Sequence, residues 1–380
     1  MGSKVLVVTN DFPPRRGGIE SFVLSLCASL PAEDVVVYTA RMADSQIVDE
    51  PLRYPVVRDS SRVLLPTPRV ARSAQRVAVR HGCDRVLFGA SAPLGLLAPA
   101  LRAVGVRRMV GLTHGHEVWW SSVAGTRALL RRIAAEVDVL TYVSEFCRTE
   151  IVRALPPADA RKLTRLSPGI DPERFRPGLD GRALRSRLGI GDDSQVVLAA
   201  SRLVARKGHD VLLAAWPTVL AAHPDAVLVV VGDGPARGRL QRAAARPALA
   251  GSVRFLLDAP YSDMPLVYAA ADVFAVPCRT RLRGLEPEAL GIVFLEAASC
   301  GLPVVLGASG GAPETVVAGE TGYVVDPRSP GDVAAALCSL LADPGRRSAM
   351  GSRGRAFVQQ RYSASVAGST LRELLLVDGA

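Results

Sequence analysis

Long apolar runs are missing from this sequence. No stretch of about 18 uncharged apolar residues occurs, so no membrane-spanning helix is expected. The first residues, with Val5 to Val8 as their apolar core, read as a strand rather than a signal peptide, and the expectation is a cytoplasmic protein. Paired cysteine motifs are missing too. The six cysteines (Cys27, Cys83, Cys147, Cys278, Cys300 and Cys338) show neither Cys-x-x-Cys nor metal-ligand spacing, so reduced, mostly buried thiols are expected. Aromatic residues make up only 5%, which leaves few stacking platforms near the basic residues, and nucleic acid is not an expected partner. No Asp-x-Asp motif occurs in any loop, which argues against metal-assisted phosphate binding, so neither a metal nor another cofactor is expected.

Acidic residues are in deficit. Lys and Arg number 46 against 36 Asp and Glu, a formal charge of +10. Arg69, Arg72, Arg76 and Arg80 are spaced to form one stripe on a helix, with Val70, Ala74, Val77 and Ala78 around it. Such a helix is either a solvated basic face or a surface that lies on anionic lipid headgroups.

What is present is a folded, apolar-rich chain. With 380 residues, 49% of them hydrophobic and 22% charged, it is too long for one ordinary domain and suits two of about 180 residues. Apolar runs at Val5 to Thr9, Val35 to Thr39, Arg85 to Phe88, Arg108 to Leu112 and Val137 to Val143 read as buried strands. Loops and helix-like segments separate them. A Pro/Gly/Asp-rich passage from Ser167 to Asp180 breaks this series, and a second begins at Val196 to Ala200. It continues through Val227 to Val231, Val253 to Leu257, Val273 to Val276 and Pro303 to Leu306. The fold class is α/β, with two Rossmann-like parallel-sheet domains over residues 1–168 and 169–360 and ligands bound in a cleft between them. The final helical stretch, about 360–380, either ends in the second domain or crosses back to the first.

Candidate site residues cluster after these strands. Glu288 and Glu296 lie eight residues apart, and a helix opening near Gly291 puts Glu296 on its shaft and Glu288 in the loop before it. The helix start at Gly291 and Ile292 can hold a phosphate while the carboxylates bind hydroxyls on either side. Two solvated glutamates on an ordinary helix are the plain alternative. Arg202, Arg206 and Lys207 follow a strand directly, where an anionic ligand explains three cations more simply than packing does, and phosphate binding is assigned to Arg202 and Lys207. Gly17 and Gly18 let the backbone approach a phosphate or sugar, or form a flexible turn. The spacing there is not Gly-x-Gly-x-x-Gly, and Thr39-Ala40-Arg41 lacks a ribose-binding acid, so a dehydrogenase is not expected. His114 and His116 share the turn Thr113-His-Gly-His-Glu117 and lack a third metal ligand.

Taken together, Gly17-Gly18, His116, Arg202 with Lys207, and the Glu288/Glu296 pair resemble the retaining glycosyltransferases of family 4, which have the GT-B fold. The segments Thr9 to Ile19, Leu65-Pro-Thr-Pro68, Phe88 to Pro93, Thr113 to Val118 and Gly291 to Glu296 look like the actinobacterial GDP-mannose-dependent phosphatidylinositol monomannoside mannosyltransferases. The resemblance implies a nucleotide-sugar donor, with Arg202, Lys207 and the backbone at Gly18 and Ile292 on its diphosphate. It places Glu296 on the ribose, Glu288 on the transferred sugar, and His116 and Asp11 near the reacting centre. It implies a glycolipid acceptor, a membrane-facing role for Arg69, Arg72 and Arg76, and peripheral attachment at the inner face of the cell membrane. Trp119 stands where that subgroup has glycine, Ala289 replaces another glycine, and Arg279 to Glu286 carries more charge than the subgroup shows. Trp119 is thus an acceptor-site candidate, and a UDP- or GDP-sugar enzyme with a soluble acceptor such as an aminocyclitol stays open.

Overall fold

A computed structural model describes residues 4–15 and 17–376. The chain divides into two compact units, one running to Gly169 and taking in the segment from Ala364, the other Ile170–Ser363. The helix Ala364–Leu376 thus crosses back to the first unit, where the Arg108 guanidinium donates to the Leu374 carbonyl at 2.9 Å. The last four positions of the expected terminal helix lie outside the described residues.

The first unit has seven parallel strands: β1 Lys4–Thr9, β2 Val35–Thr39, β3 Val56–Arg58, β4 Cys83–Phe88, β5 Arg108–Gly111, β6 Val139–Tyr142 and β7 Leu163–Arg165. They lie in the order β3-β2-β1-β4-β5-β6-β7. Side chains alternate across the sheet, so β1 sends Leu6 and Val8 to one face and Val5 and Val7 to the other. The first face is covered in part by the helix Pro68–His81. Its Val70, Ala74, Val77 and Ala78 are buried there, and each fully buried valine contributes about 1.5–3 kcal/mol. That helix starts where Thr67 accepts from the Val70 N–H at 3.3 Å with Pro68 in its first turn, and stops at left-handed Gly82. The second face takes Phe22 and Leu26 of the helix Gly18–Ala28 and Leu371 and Leu375 of the terminal helix. Apolar cover on both faces is why these strands read as unbroken apolar runs.

The second unit repeats the plan with β8 Val196–Ala200, β9 Val227–Val231, β10 Val253–Leu256, β11 Val273–Val276, β12 Val304–Gly307 and β13 Gly322–Val325. Its order is β10-β9-β8-β11-β12-β13, all parallel. Strand order reverses at β1/β4 in one sheet and at β8/β11 in the other, where ligands bind in such folds. Five cysteines are buried and Cys338 is half-buried, all as free thiols. Among the described residues, no helix is long and apolar enough to cross a membrane.

Candidate active site

In the second unit the loop after β8 and the loop after β11 lie against each other. Gly208 makes this approach possible: its φ is 74°, and a Cβ there would lie 2.0 Å from the Pro277 carbonyl oxygen. The contact carries Lys207 to Glu288, with Nζ 2.6 Å from Oε2, while Arg206 Nη1 reaches the same oxygen at 2.8 Å. Burial alone would raise the Glu288 carboxyl, but the Lys207 and Arg206 charges outweigh it and hold it below the usual carboxylate range. Two cations, buried Lys207 and half-buried Arg206, meet one carboxylate, leaving one surplus positive charge. The expectation that these cations need an external anion is corrected in part, because Glu288 neutralises one of them from within the chain. Arg202 is exposed and forms no ion pair among the described residues.

The backbone of Glu288 is fixed by the segment 309–311. Its N–H donates to Ser309 Oγ at 3.2 Å, and its carbonyl accepts from Gly311 N–H at 2.8 Å. Gly310, at φ 53°, leaves no room for a side chain, since a Cβ would meet the Glu288 carbonyl oxygen at 2.1 Å. Gly291 then turns left-handed at φ 92° and opens the helix Ile292–Ser299, whose first N–H groups have no intrahelical acceptor. The helix start and the loop position of Glu288 thus fall where the spacing put them.

Glu296 sits on that helix but not in a vacant pocket. Tyr261 donates its hydroxyl to Oε1 at 2.8 Å and Tyr268 to Oε2 at 2.7 Å, and Glu296 is only 3% exposed. Burial raises its carboxyl, with the two tyrosine hydroxyls opposing. The reading of a carboxylate free for a hydroxylated ring is corrected to that extent: a ring hydroxyl must share the remaining lone pairs with Tyr261 and Tyr268. Arg174 covers the Tyr261 ring at 4.4 Å. Neither tyrosine gave a sequence signal, because both precede β11 while Glu296 follows it.

In the first unit, Asp11 follows β1 and its carboxylate lies 3.7 Å from Arg15, which also approaches Glu20 at 3.3 Å. Asn10 clamps Leu64 by two bonds, accepting from its N–H at 2.7 Å and donating to its carbonyl at 3.0 Å. Gly17, at φ 166°, is extended backbone where a Cβ would lie 2.4 Å from Glu20 Oε2, and Gly18 begins its helix, exposed. The turn after β5 holds His114 half-buried, with its Nε2 2.6 Å from the Gly89 carbonyl oxygen; desolvation lowers its pKa. His116 is half exposed, and its Nε2 lies 3.1 Å from Glu117 Oε1 and 3.3 Å from the Ala92 carbonyl. Trp119, 42% exposed, stands one turn beyond His116. Among the described residues, no group of three or more His, Cys, Asp or Glu could hold a metal ion.

The four arginines lie exposed on the helix Pro68–His81 as their spacing implied, but not all of them are free and their apolar neighbours are not exposed. Arg69 is drawn into a network in which it donates to both oxygens of Asp59, at 2.6 and 3.1 Å, while Tyr38 donates to the same carboxylate at 2.6 Å. The four apolar residues beside the stripe face the sheet, so they offer nothing to a membrane. Arg72, Arg76 and Arg80 remain outward, with Val79 exposed among them.

Residues 16–174 match Glycosyltransferase Family 4, and residues 180–357 match Glycosyl transferases group 1. Over 98% of both chains, the sequence is 45% identical to the GDP-mannose-dependent alpha-(1-6)-phosphatidylinositol monomannoside mannosyltransferase of Mycolicibacterium smegmatis. It is 43% identical to the GDP-mannose-dependent monoacylated alpha-(1-6)-phosphatidylinositol monomannoside mannosyltransferase of Corynebacterium glutamicum, covering 98% of this chain and 97% of that one. Among solved structures, Anabaena Alr3699/HepE in complex with UDP superposes with a TM-score of 0.82 at 22% identity, over 98% of this chain and 99% of the other. The chain belongs to the glycosyltransferases of family 4 and carries their GT-B fold of two Rossmann-like units.

Proposed function

We propose that the protein transfers mannose from GDP-mannose to a phosphatidylinositol mannoside, with retention at the anomeric carbon and without a metal ion. The observation that carries the reading is the Lys207–Glu288–Arg206 cluster, a buried pair joined by half-buried Arg206, with its surplus positive charge on the loops where strand order reverses. A site with fixed cations receives a diphosphate through charge-assisted hydrogen bonds, each contributing about 1.5–3 kcal/mol, and needs no divalent ion to do so. Lys207, the exposed Arg202 and the N–H groups at the Ile292 helix start take the diphosphate, Glu296 the ribose and Glu288 a hydroxyl of the mannose. Gly17 and Gly18 admit the phosphates closely by backbone. His116 and Asp11 serve the reacting end of the sugar, and Trp119 shapes the acceptor site.

The bond from the anomeric carbon to the diphosphate oxygen breaks as the acceptor oxygen bonds to that carbon from the same face. The acceptor proton passes to the departing diphosphate, so no protein base is required. Identity to relatives that act on a phosphatidylinositol monomannoside, over 98% of this chain, supports the choice of donor and acceptor. Arg72 and Arg76, solvent-facing on the Pro68–His81 helix, support peripheral contact with anionic headgroups.

A calorimetric donor panel in metal-free buffer tests the reading. GDP-mannose is expected to bind at least about tenfold more tightly than UDP-glucose or UDP-N-acetylglucosamine, a difference of about 1.4 kcal/mol. Preference for a UDP-sugar would point instead to a recruited enzyme with a soluble acceptor, and binding restored only by a divalent ion would remove the metal-free claim.

A further inference from the structure

Glu117 is fully buried in a turn that holds the half-exposed His116. A buried carboxylate is costly unless its oxygens are satisfied. Oε2 accepts the N–H groups of His114 at 3.0 Å and Gly115 at 3.1 Å. Oε1 makes no hydrogen bond among the described residues, and His116 Nε2 lies 3.1 Å from it. The same ring nitrogen lies 3.3 Å from the Ala92 carbonyl oxygen. Both neighbours of Nε2 are acceptors. A bare nitrogen there would set three lone-pair donors against one another, so the proton of the neutral ring belongs on Nε2. Nδ1 has no partner among the described residues, and its lone pair is the ring's remaining acceptor.

We propose that Glu117 is a positioning residue for the transfer reaction: it fixes neutral His116 as the Nε2–H tautomer, so that Nδ1 accepts a hydrogen bond from a substrate hydroxyl. The proposal rests on the reading that His116 serves the reacting end of the sugar. Glu117→Gln sharpens it. The amide oxygen still takes the two backbone N–H groups, but the amide nitrogen then donates toward Nε2 and favours the Nδ1–H tautomer, which has no outward acceptor.

The test is nitrogen-15 NMR of histidine-labelled full-length protein near pH 8, with the His116 signals identified by their loss in His116→Ala. Wild type is expected to show Nε2–H and Glu117→Gln a shift to Nδ1–H. In the same variant kcat falls about 100-fold or more while donor affinity stays within about twofold. Glu117→Asp keeps a carboxylate, retains the wild-type tautomer and recovers part of kcat. An Nδ1–H ring in wild type overturns the proposal, as does Glu117→Gln turnover near the wild-type rate. Should Glu117→Gln fail to fold, the wild-type spectrum and the Glu117→Asp rate decide in its place. Wild-type turnover by His116→Ala overturns the placement of His116 at the reacting centre instead, and leaves the tautomer result standing.

Discussion

Lys207 Nζ lies 2.6 Å from Glu288 Oε2, joining the loops that leave two neighbouring strands, β8 and β11. Both side chains are nearly buried, so the pair is costly to break from either side. Replacing Lys207 by Ala leaves Glu288 with Arg206 alone. Urea unfolding is expected to show a loss of about 3 kcal/mol, the lower end of the range for a broken buried pair. Donor affinity is expected to fall at least tenfold in calorimetry, and unchanged nucleotide-sugar binding would remove Lys207 from the phosphate site.

The two glutamates impose opposite pH dependences. Glu288 is held below its unfolded value, so its contribution to stability is full above about pH 4.3 and is lost as pH falls through the folded pKa. The destabilisation caused by Glu288→Gln is therefore expected to be largest near neutrality and to shrink in acid. Glu296 is raised by burial, so its contribution is full below about pH 4.3 and is lost as pH rises through its folded pKa. Relative to wild type, Glu296→Gln should gain stability as pH rises over that window. Denaturant titrations of the three proteins from acid to neutral pH check both signs; parallel curves contradict the assignment.

Tyr268 donates to Glu296 from a fully buried position, whereas Tyr261 is 39% exposed. Tyr268→Phe is expected to destabilise the protein by about 1.5–3 kcal/mol, the range for a lost hydrogen bond to a charged group, and Tyr261→Phe by less. Equal effects on unfolding midpoints would mean that burial does not set the difference.

Gly310 offers a test of the loop that fixes Glu288. Its left-handed φ and its contact with the Glu288 carbonyl exclude a Cβ unless the backbone shifts. Gly310→Ala is expected to abolish turnover while Gly82→Ala, at a left-handed position with nothing within 4 Å, costs only about 1 kcal/mol and keeps it.

The arginines of the Pro68–His81 helix separate into two roles. Arg69→Ala is expected to lower the melting temperature, because it strips Asp59 of its cation. Arg72→Ala with Arg76→Ala should leave stability nearly unchanged and weaken sedimentation with anionic vesicles by about fivefold per residue, from about 1 kcal/mol each. Equal vesicle binding by that double variant removes the helix from membrane contact.

Much of this architecture was legible in the sequence because parallel strands buried on both faces appear as apolar runs: β2, β8, β9 and β11 coincide with Val35 to Thr39, Val196 to Ala200, Val227 to Val231 and Val273 to Val276. The edge strands β3, β7 and β13 escaped notice. They are three or four residues long and largely half-buried, so they lack the apolar signature. At the site, the Gly291 helix start and the Glu288 loop followed from spacing, since both are local. Partners from distant segments were not legible: Tyr261 and Tyr268 on Glu296, Asp59 on Arg69, and Ala92 on His116 depend on chain crossing. Glu117 stood in view beside His116, but only its burial marks it as more than a surface acid.

The most direct measurement is transfer itself: metal-depleted enzyme, GDP-mannose and phosphatidylinositol monomannoside in vesicles, with the product read by mass spectrometry and anomeric NMR. The account predicts addition of one mannose in the α configuration of the donor, at a rate that chelator does not change. A lipid left unmodified, or a product of inverted configuration, would contradict it.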